Sequence, residues 1–206
     1  MSSWRYAFYF PRHANSLKPE MAIHDLSNYG FHFDNTIRLC EPIDDHGHLL
    51  DSGDEFPLNE PRTASLEGLL LDEKQFSVQC RDKYMILSCM FAYLAPNPHF
   101  YFGWSNKLHS DMPIDRQARF YALLKNVAKQ VNAGYVIIVD DALELFEDTF
   151  LDIDGTRVLD AHHPHYVYNH GIQELWVQSG ERVPEGVDHD NPEEIGNGFY
   201  KFSVPT

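Results

Sequence analysis

The chain has 206 residues, 43% of them hydrophobic and 14% aromatic, which is enough apolar material for one well-packed domain. Its 31 acidic and 16 basic side chains give a net charge of −15, which argues against a protein that binds the phosphate backbone of nucleic acid, because such proteins cluster Lys and Arg. No apolar stretch reaches the ~20 residues of a membrane span, and the opening residues lack a secretion-signal pattern. The cysteines have no CxxC spacing. We therefore expect a cytoplasmic protein.

The first elements alternate between strands and polar connections. Arg5–Phe10 is an aromatic run that a proline stops, and it predicts a strand. Pro19–Tyr29 predicts a short helix, with proline near its start and glycine after its end. Phe31–Cys40 alternates apolar and polar residues and predicts a second strand. Glu41–Pro61 is rich in proline, glycine and acid, and it predicts a mobile acidic loop at about 41–61.

The middle of the chain carries the clearest β region and the best helix. Three runs joined by short turns predict antiparallel neighbours: Phe76–Cys80, Tyr84–Leu94 and Phe100–Leu108. Apolar residues then recur at three- and four-residue steps, which predicts one long helix at about 113–132. Gly134 is free to take the left-handed conformation that ends a helix. Tyr135–Val139 is continuously apolar and predicts a central strand.

The last third of the chain predicts short strands. Asp154-Gly155 between two β-prone runs indicates a tight hairpin. Further strands are predicted at Tyr166–Tyr168, Ile172–Gln178 and Phe199–Val204. The sum is a single α+β domain over residues 1–206, with a mainly antiparallel sheet, one long helix, and one or two short helices packed on it.

The acidic residues are unevenly placed along the chain. Three segments hold most of them: 41–60, 140–160 and 181–194. The first contains no Lys or Arg, and the second contains only Arg157. Each segment alone is as readily a solvated loop that keeps the protein soluble. Three together indicate a surface that attracts a cationic partner by steering and charge complementarity.

The first strand runs into the letters PRHANS, which resemble the strand and Arg–His pair of the histidine phosphatases. The segment around Arg62 and the strand ending at His170 are similar to that family's second arginine segment and second catalytic histidine. The resemblance implies a phosphohydrolase in which His13 is the nucleophile and His170 stabilises the transferring group, while Arg12 and Arg62 bind phosphate. The alternative is that these histidines are ordinary loop or strand-end residues.

Histidines are also dense at His46–His48 and at His162–His165, beside acidic residues. Imidazoles at such density bind zinc or nickel in some proteins. Here Pro164 prevents a helical pair, and neighbouring histidines of an extended chain point to opposite faces. We therefore expect exposed His-rich turns, with no metal and no cofactor.

Three features of the middle third of the chain occur together: Phe100–Ser105 with its Gly-Trp-Ser ending, the helix Pro113–Val131, and Gly134–Asp141, which leads into acidic residues. With these features, this third of the chain resembles the immunity proteins of bacterial polymorphic and type VI secretion toxin systems. The resemblance implies a non-enzymatic antitoxin whose acidic surface occludes a cognate toxin, often a basic nuclease. Neither nucleic acid nor a membrane is expected as a partner.

In such a complex, carboxylates set speed and specificity while aromatic anchors supply affinity. The residues first expected to make contact follow the predicted central strand: Asp140, Asp141, Glu144, Glu147 and Asp148. Those expected second lie in the acidic loop: Asp44, Asp45, Asp54 and Glu55. Trp104 is the candidate anchor, and a core plug beside a tight glycine bend is its alternative role. No residue is predicted to be catalytic in this interpretation.

Overall fold

A computed structural model describes seven stretches of the chain: residues 4–12, 26–42, 49–57, 75–94, 97–140, 172–183 and 190–202. They contain ten strands: β1 (Trp4–Pro11), β2 (His32–Pro42), β3 (Leu49–Pro57), β4 (Gln75–Arg81), β5 (Ile86–Leu94), β6 (Asn97–Ser105), β7 (Ala133–Asp140), β8 (Ile172–Gln178), β9 (Glu193–Gly196) and β10 (Phe199–Phe202). Two helices lie between β6 and β7: α1 (Asn106–Ser110) and α2 (Ile114–Gln130).

All ten strands belong to one sheet, in the order β3-β2-β4-β5-β6-β1-β7-β8-β10-β9, and every neighbouring pair is antiparallel. Short connections favour this pairing along β4, β5 and β6, because a chain that turns within a few residues returns beside itself in the opposite direction. β1 lies between β6 and β7 in the middle of the sheet. The predicted α+β class with a mainly antiparallel sheet is confirmed.

The central strands are apolar on both faces because both faces of the sheet are buried there. Along β7, Ile138 belongs to one core cluster and Ile137 and Val139 to another, and each is at most 1% exposed. Side chains of a strand alternate between the two faces. A strand buried on both faces therefore reads as a continuous apolar run, which is the pattern that predicts a central strand at this place.

Helix α2 covers one face of the sheet. It buries the side chains that recur at three- and four-residue steps: Phe120, Leu123, Leu124, Val127 and Ala128. Burial of each larger side chain stabilises the fold by about 1.5–3 kcal/mol. Tyr9 Oη donates a hydrogen bond to the Leu124 carbonyl oxygen at 3.3 Å, which ties β1 to the helix. The long helix predicted at about 113–132 is confirmed, with ends at Ile114 and Gln130.

The end of β6 differs from the prediction of a strand reaching Leu108. The strand ends at Ser105, whose Oγ accepts a hydrogen bond from the Leu108 backbone N–H at 3.5 Å and caps α1. Such a cap satisfies one of the N–H groups that a helix start leaves unpaired. This local hydrogen bond stabilises the start of α1, directly after the end of β6.

The turn after α2 also differs from the prediction. Asn132 has a positive φ of 51°, whereas Gly134 lies within β7. Asparagine tolerates the left-handed region because its short polar side chain bonds locally. Space is limited at 134, since a Cβ there would lie 3.3 Å from Arg12 Cγ, and the arginine side chain would have to shift slightly.

The predicted acidic loop at 41–61 is a strand over much of its length. Residues 49–57 form β3, which pairs with β2 and stands at one edge of the sheet. The prediction of a loop is therefore wrong for these residues. An edge strand tolerates proline, glycine and charge, because one side of it forms no ladder.

Several predicted elements lie outside the described residues. They are the first part of the Pro19–Tyr29 helix, the hairpin at Asp154-Gly155, and the strand Tyr166–Tyr168. The end of the first of these is visible, because Leu26–Asn28 has a helical backbone. None of the helices in the described stretches is both long and apolar enough to cross a membrane.

Candidate partner-binding surface

The first predicted contact residue lies at the end of a central strand. Asp140 is the last residue of β7, and its backbone is in register with that of Arg5 in β1. On its other side, β7 pairs with β8 from Tyr135 to Val139. β7 is hydrogen-bonded along both sides and buried on both faces. The backbone at Asp140, where the acidic segment of the sequence begins, is therefore held in a fixed position.

Two other predicted contact residues are described, and they lie on a different strand from Asp140. Asp54 and Glu55 lie in β3, where Glu55 is in register with Arg38 of β2. Outside the described residues lie Asp44, Asp45, Asp141, Glu144, Glu147 and Asp148. Six strand spacings separate β3 from β7, about 29 Å across the sheet. Among the described contact residues, Asp54 and Glu55 therefore lie on a strand far across the sheet from Asp140.

Glu174 is a carboxylate near the Asp140 end that the sequence patterns do not single out. It is in register with Ile138, two residues before Asp140. Tyr121 Oη donates to its Oε1 at 2.7 Å, and Trp176 Nε1 donates to its Oε2 at 2.9 Å. Burial, and then the charge of Glu174, raise the pKa of Tyr121, so the phenol remains a donor. Glu174 is thus a half-buried carboxylate with a fixed orientation.

Trp104 is corrected from a surface anchor to a core residue. Its side chain is 1% exposed and packs edge-on against Phe120, with 5.1 Å between the ring centroids. His109 of α1 lies against the same tryptophan, at 6.4 Å between centroids, and is 7% exposed. Burial, together with the charge of Arg5, lowers the pKa of His109. A partner cannot reach Trp104 without first moving α1.

A further acidic group lies on the opposite edge strand. Asp190, Glu193 and Glu194 are exposed, and the last two belong to β9. Lys201 of β10 pairs with Glu193 at 2.7 Å, and this hydrogen bond lowers the pKa of Glu193. Charged edge strands resist pairing with the sheet of another molecule. These carboxylates therefore protect an edge as well as extend the acidic surface.

Arg12, the phosphate ligand implied by the histidine-phosphatase resemblance, is engaged within the fold. Its Nε lies 2.6 Å from Glu181 Oε1, an ion pair by distance although the N–H is not directed at an acceptor. Its Nη2 donates to the Ser179 carbonyl oxygen at 3.0 Å. These contacts tie the end of β1 to the turn after β8. The other residues of that resemblance lie outside the described stretches: His13, Arg62 and His170.

Within the described stretches, no three His, Cys, Asp or Glu side chains lie close enough together to hold a metal ion. The histidine-rich segments His46–His48 and His162–His165 lie outside those stretches. Comparisons with known proteins identify no relative, since no family model, no curated protein and no solved structure matches the chain. Function must therefore be argued from the charge and geometry of the protein itself.

Proposed function

We propose that this protein is an immunity protein, a non-enzymatic antitoxin that binds and occludes a cognate toxin with a basic surface, such as a nuclease. The observation that carries the proposal is the position of Asp140, where a run of acidic residues follows a strand held on both sides. A carboxylate on a fixed backbone binds without the entropy cost of ordering a loop.

The net charge of −15 supports the same function through kinetics. An acidic protein attracts a basic one at long range, and such steering raises association rates about 10- to 10³-fold at low salt. Salt removes the effect, because the Debye length falls from about 30 Å at 0.01 M to about 8 Å at 0.15 M. Fast capture suits an antitoxin, since its toxin does damage until it is bound.

Glu174 extends the proposed contact surface beyond the acidic run. A carboxylate has about four acceptor sites, and Tyr121 and Trp176 occupy one on each oxygen. The remaining sites suit an incoming guanidinium or ammonium group, with which a charge-assisted hydrogen bond is stronger than a neutral one. The two internal donors hold the carboxylate in place before the partner arrives.

The decisive experiment begins with the product of the neighbouring gene, because an antitoxin is expected to be encoded directly beside its toxin. Co-expression of this protein should protect cells that the neighbouring product kills. The two purified proteins should form a complex in which the activity of the toxin is lost. A neighbouring product that is not toxic, or that does not bind, contradicts the proposal.

Charge reversal then locates the contact. Asp140→Lys combined with Asp141→Lys should slow association about tenfold at about 50 mM salt and flatten its salt dependence. The matched control is Asp111→Lys with Asp115→Lys, two exposed acids on the helical side of the protein that give the same change of net charge. If both pairs of substitutions slow association equally, the association rate depends on the net charge alone and not on the position of Asp140. An unchanged rate for the first pair removes the steering argument.

The histidine-phosphatase alternative is tested separately, because no feature of the described residues favours it. Arg12 already pairs with Glu181. Turnover of p-nitrophenyl phosphate that disappears in His13→Ala would overturn the antitoxin proposal. No turnover by either protein leaves the antitoxin proposal in place.

A further inference from the structure

The helical segment is basic in a chain that is otherwise strongly acidic. Residues 106–130 contain five cations and two acids, whereas the whole chain has 16 cations and 31 acids. The five cations are Lys107, Arg116, Arg119, Lys125 and Lys129. Arg116 is turned inward into an ion pair with Asp82. The remaining cations of α2 are Arg119 and Lys129, which are exposed, and the half-buried Lys125, and they outnumber its one exposed acid, Asp115.

This basic face has few bulky side chains apart from its cations. Ile114, Ala118 and Ala122 follow one another at four-residue steps on the outer side of α2. Ile114 is 84% exposed, the most exposed of the large hydrophobic side chains among the described residues. A second molecule that docks on this face meets apolar surface flanked by positive charge.

The acidic edge strand β9 lies directly beside this helix. Lys125 Nζ donates to the Ile195 carbonyl oxygen at 3.0 Å, and Asn197 Nδ2 donates to the Lys125 carbonyl oxygen at 3.3 Å. Glu194 follows Glu193 in this strand, and both are exposed. A basic helix and an acidic strand therefore adjoin on one surface of the protein.

A surface with adjoining basic and acidic strips is complementary to itself. A two-fold axis between the strips sets the helix of each copy against the strand of the other, so that both contacts join opposite charges. We propose that a second copy of this chain docks here, with α2 of each protomer facing β9 of its partner. This interaction goes beyond the proposed antitoxin function and does not depend on it.

The size of the contact sets its strength. β9 has four residues, so it is about 14 Å long at about 3.4 Å per residue, and this length limits its contact with α2, whose face is about 10 Å wide. Two such contacts bury about 280 Å² on each protomer, or about 560 Å² in total, which is the size of a weak, transient contact. A contact of this size held by exposed charges is weak and sensitive to salt.

Sedimentation velocity of the purified full chain tests the dimer directly. The native protein should change from dimer to monomer as the salt rises from about 50 to 500 mM. Lys129→Glu should raise the dissociation constant of the dimer about tenfold for each of its two equivalent contacts, or about 100-fold in all. Glu194→Lys should have the same effect. Lys107→Glu is the matched control, an exposed cation of α1 outside the contact, and it should dimerise like the native protein.

A mixture of the two variants separates this geometry from a general effect of charge. When Lys129→Glu protein meets Glu194→Lys protein, the altered helix faces the altered strand, and the native helix faces the native strand. Mixed dimers should therefore form although neither variant dimerises alone.

Three results overturn the proposal: a native chain that is monomeric at low salt and about 100 µM, variants that dimerise like the native chain, or a mixture that stays monomeric. If circular dichroism shows that either reversal unfolds the protein, Lys129→Gln and Glu194→Gln take their place. These substitutions remove one charge each, so a salt-sensitive dimer that neither of them weakens also overturns the proposal.

Discussion

Asp82 fixes helix α2 to the sheet, so its replacement tests how the fold is held together. The side chain is 4% exposed and accepts hydrogen bonds from the backbone N–H groups of Tyr84 at 2.7 Å and Met85 at 2.9 Å. It is also ion-paired with Arg116 of α2. Arg116 in turn donates to the Tyr29 carbonyl oxygen at 3.2 Å. One carboxylate thus joins the β4–β5 turn, the helix and the segment before β2.

Asp82→Ala removes two hydrogen bonds and leaves the Arg116 cation without its partner. Breaking a buried ion pair by removing one partner costs about 3–5 kcal/mol. Arg116 is 17% exposed and lies about 6 Å from the ring centres of Phe31 and Tyr84, so water and the rings offset part of this loss. We expect the free energy of unfolding to fall by about 3–4 kcal/mol.

Urea denaturation followed by tryptophan fluorescence measures this loss. Asp82→Asn should lose only about half as much, because the Asn oxygen still accepts both backbone hydrogen bonds while the charge is gone. Asp115→Ala, which removes an exposed acid in the first turn of α2, is the control and should lose at most about 1 kcal/mol. A loss below about 1 kcal/mol for Asp82→Ala would refute the reasoning.

Three further predictions concern acid stability and packing. Burial lowers the pKa of His109 below its unfolded value of about 6.5. The contribution of His109 to the free energy of unfolding is therefore complete above that value and is lost as the pH drops through the folded pKa. His109→Gln should make the urea midpoint depend less on pH across that range. Burial acts to raise the pKa of Asp82, but hydrogen bonds from Arg116 and the backbone outweigh it and lower the pKa. The native chain should therefore lose stability below about pH 4, and Asp82→Asn should show a smaller loss. Gly103→Ala sets a Cβ 2.9 Å from Tyr6 Cε1 and should cost about 1–3 kcal/mol in the same assay, whereas no measurable cost would show that the ring moves freely.

The sequence predicts the elements whose pattern repeats over many residues. Helix α2 has five buried positions at helical spacing, and β7 is apolar on both faces, so a few unusual residues do not obscure either pattern. The predicted strand Ile172–Gln178 has the same ends in the structure. The antiparallel pairing of β4, β5 and β6 follows from the shortness of their connections.

The prediction from the sequence is wrong where a particular hydrogen bond or strand pairing opposes the local residue pattern. Ser105 caps a short helix where the pattern predicts a continuing strand, and pairing with β2 places a polar stretch in the edge strand β3. Glu174 needs tertiary information, because the donor that fixes its Oε1 is Tyr121, which lies on another element. The available sequence signal is a charged residue two positions before Trp176, on the same face of β8.

The two proposed surfaces bear on each other through their positions in the sheet. Three strand spacings, about 14 Å, separate β9 from β7. Helix α2, the other part of the proposed dimer contact, reaches Glu174 near the Asp140 end through Tyr121. Lys129→Glu makes the protein more acidic and Glu194→Lys makes it more basic, yet both should yield monomers. If dimerisation does not obstruct capture, the two variants should shift the association rate in opposite directions from the native value, following their net charge. A shift in the same direction for both, measured by stopped flow at low salt, would mean that the dimer covers the Asp140 end and competes with the toxin.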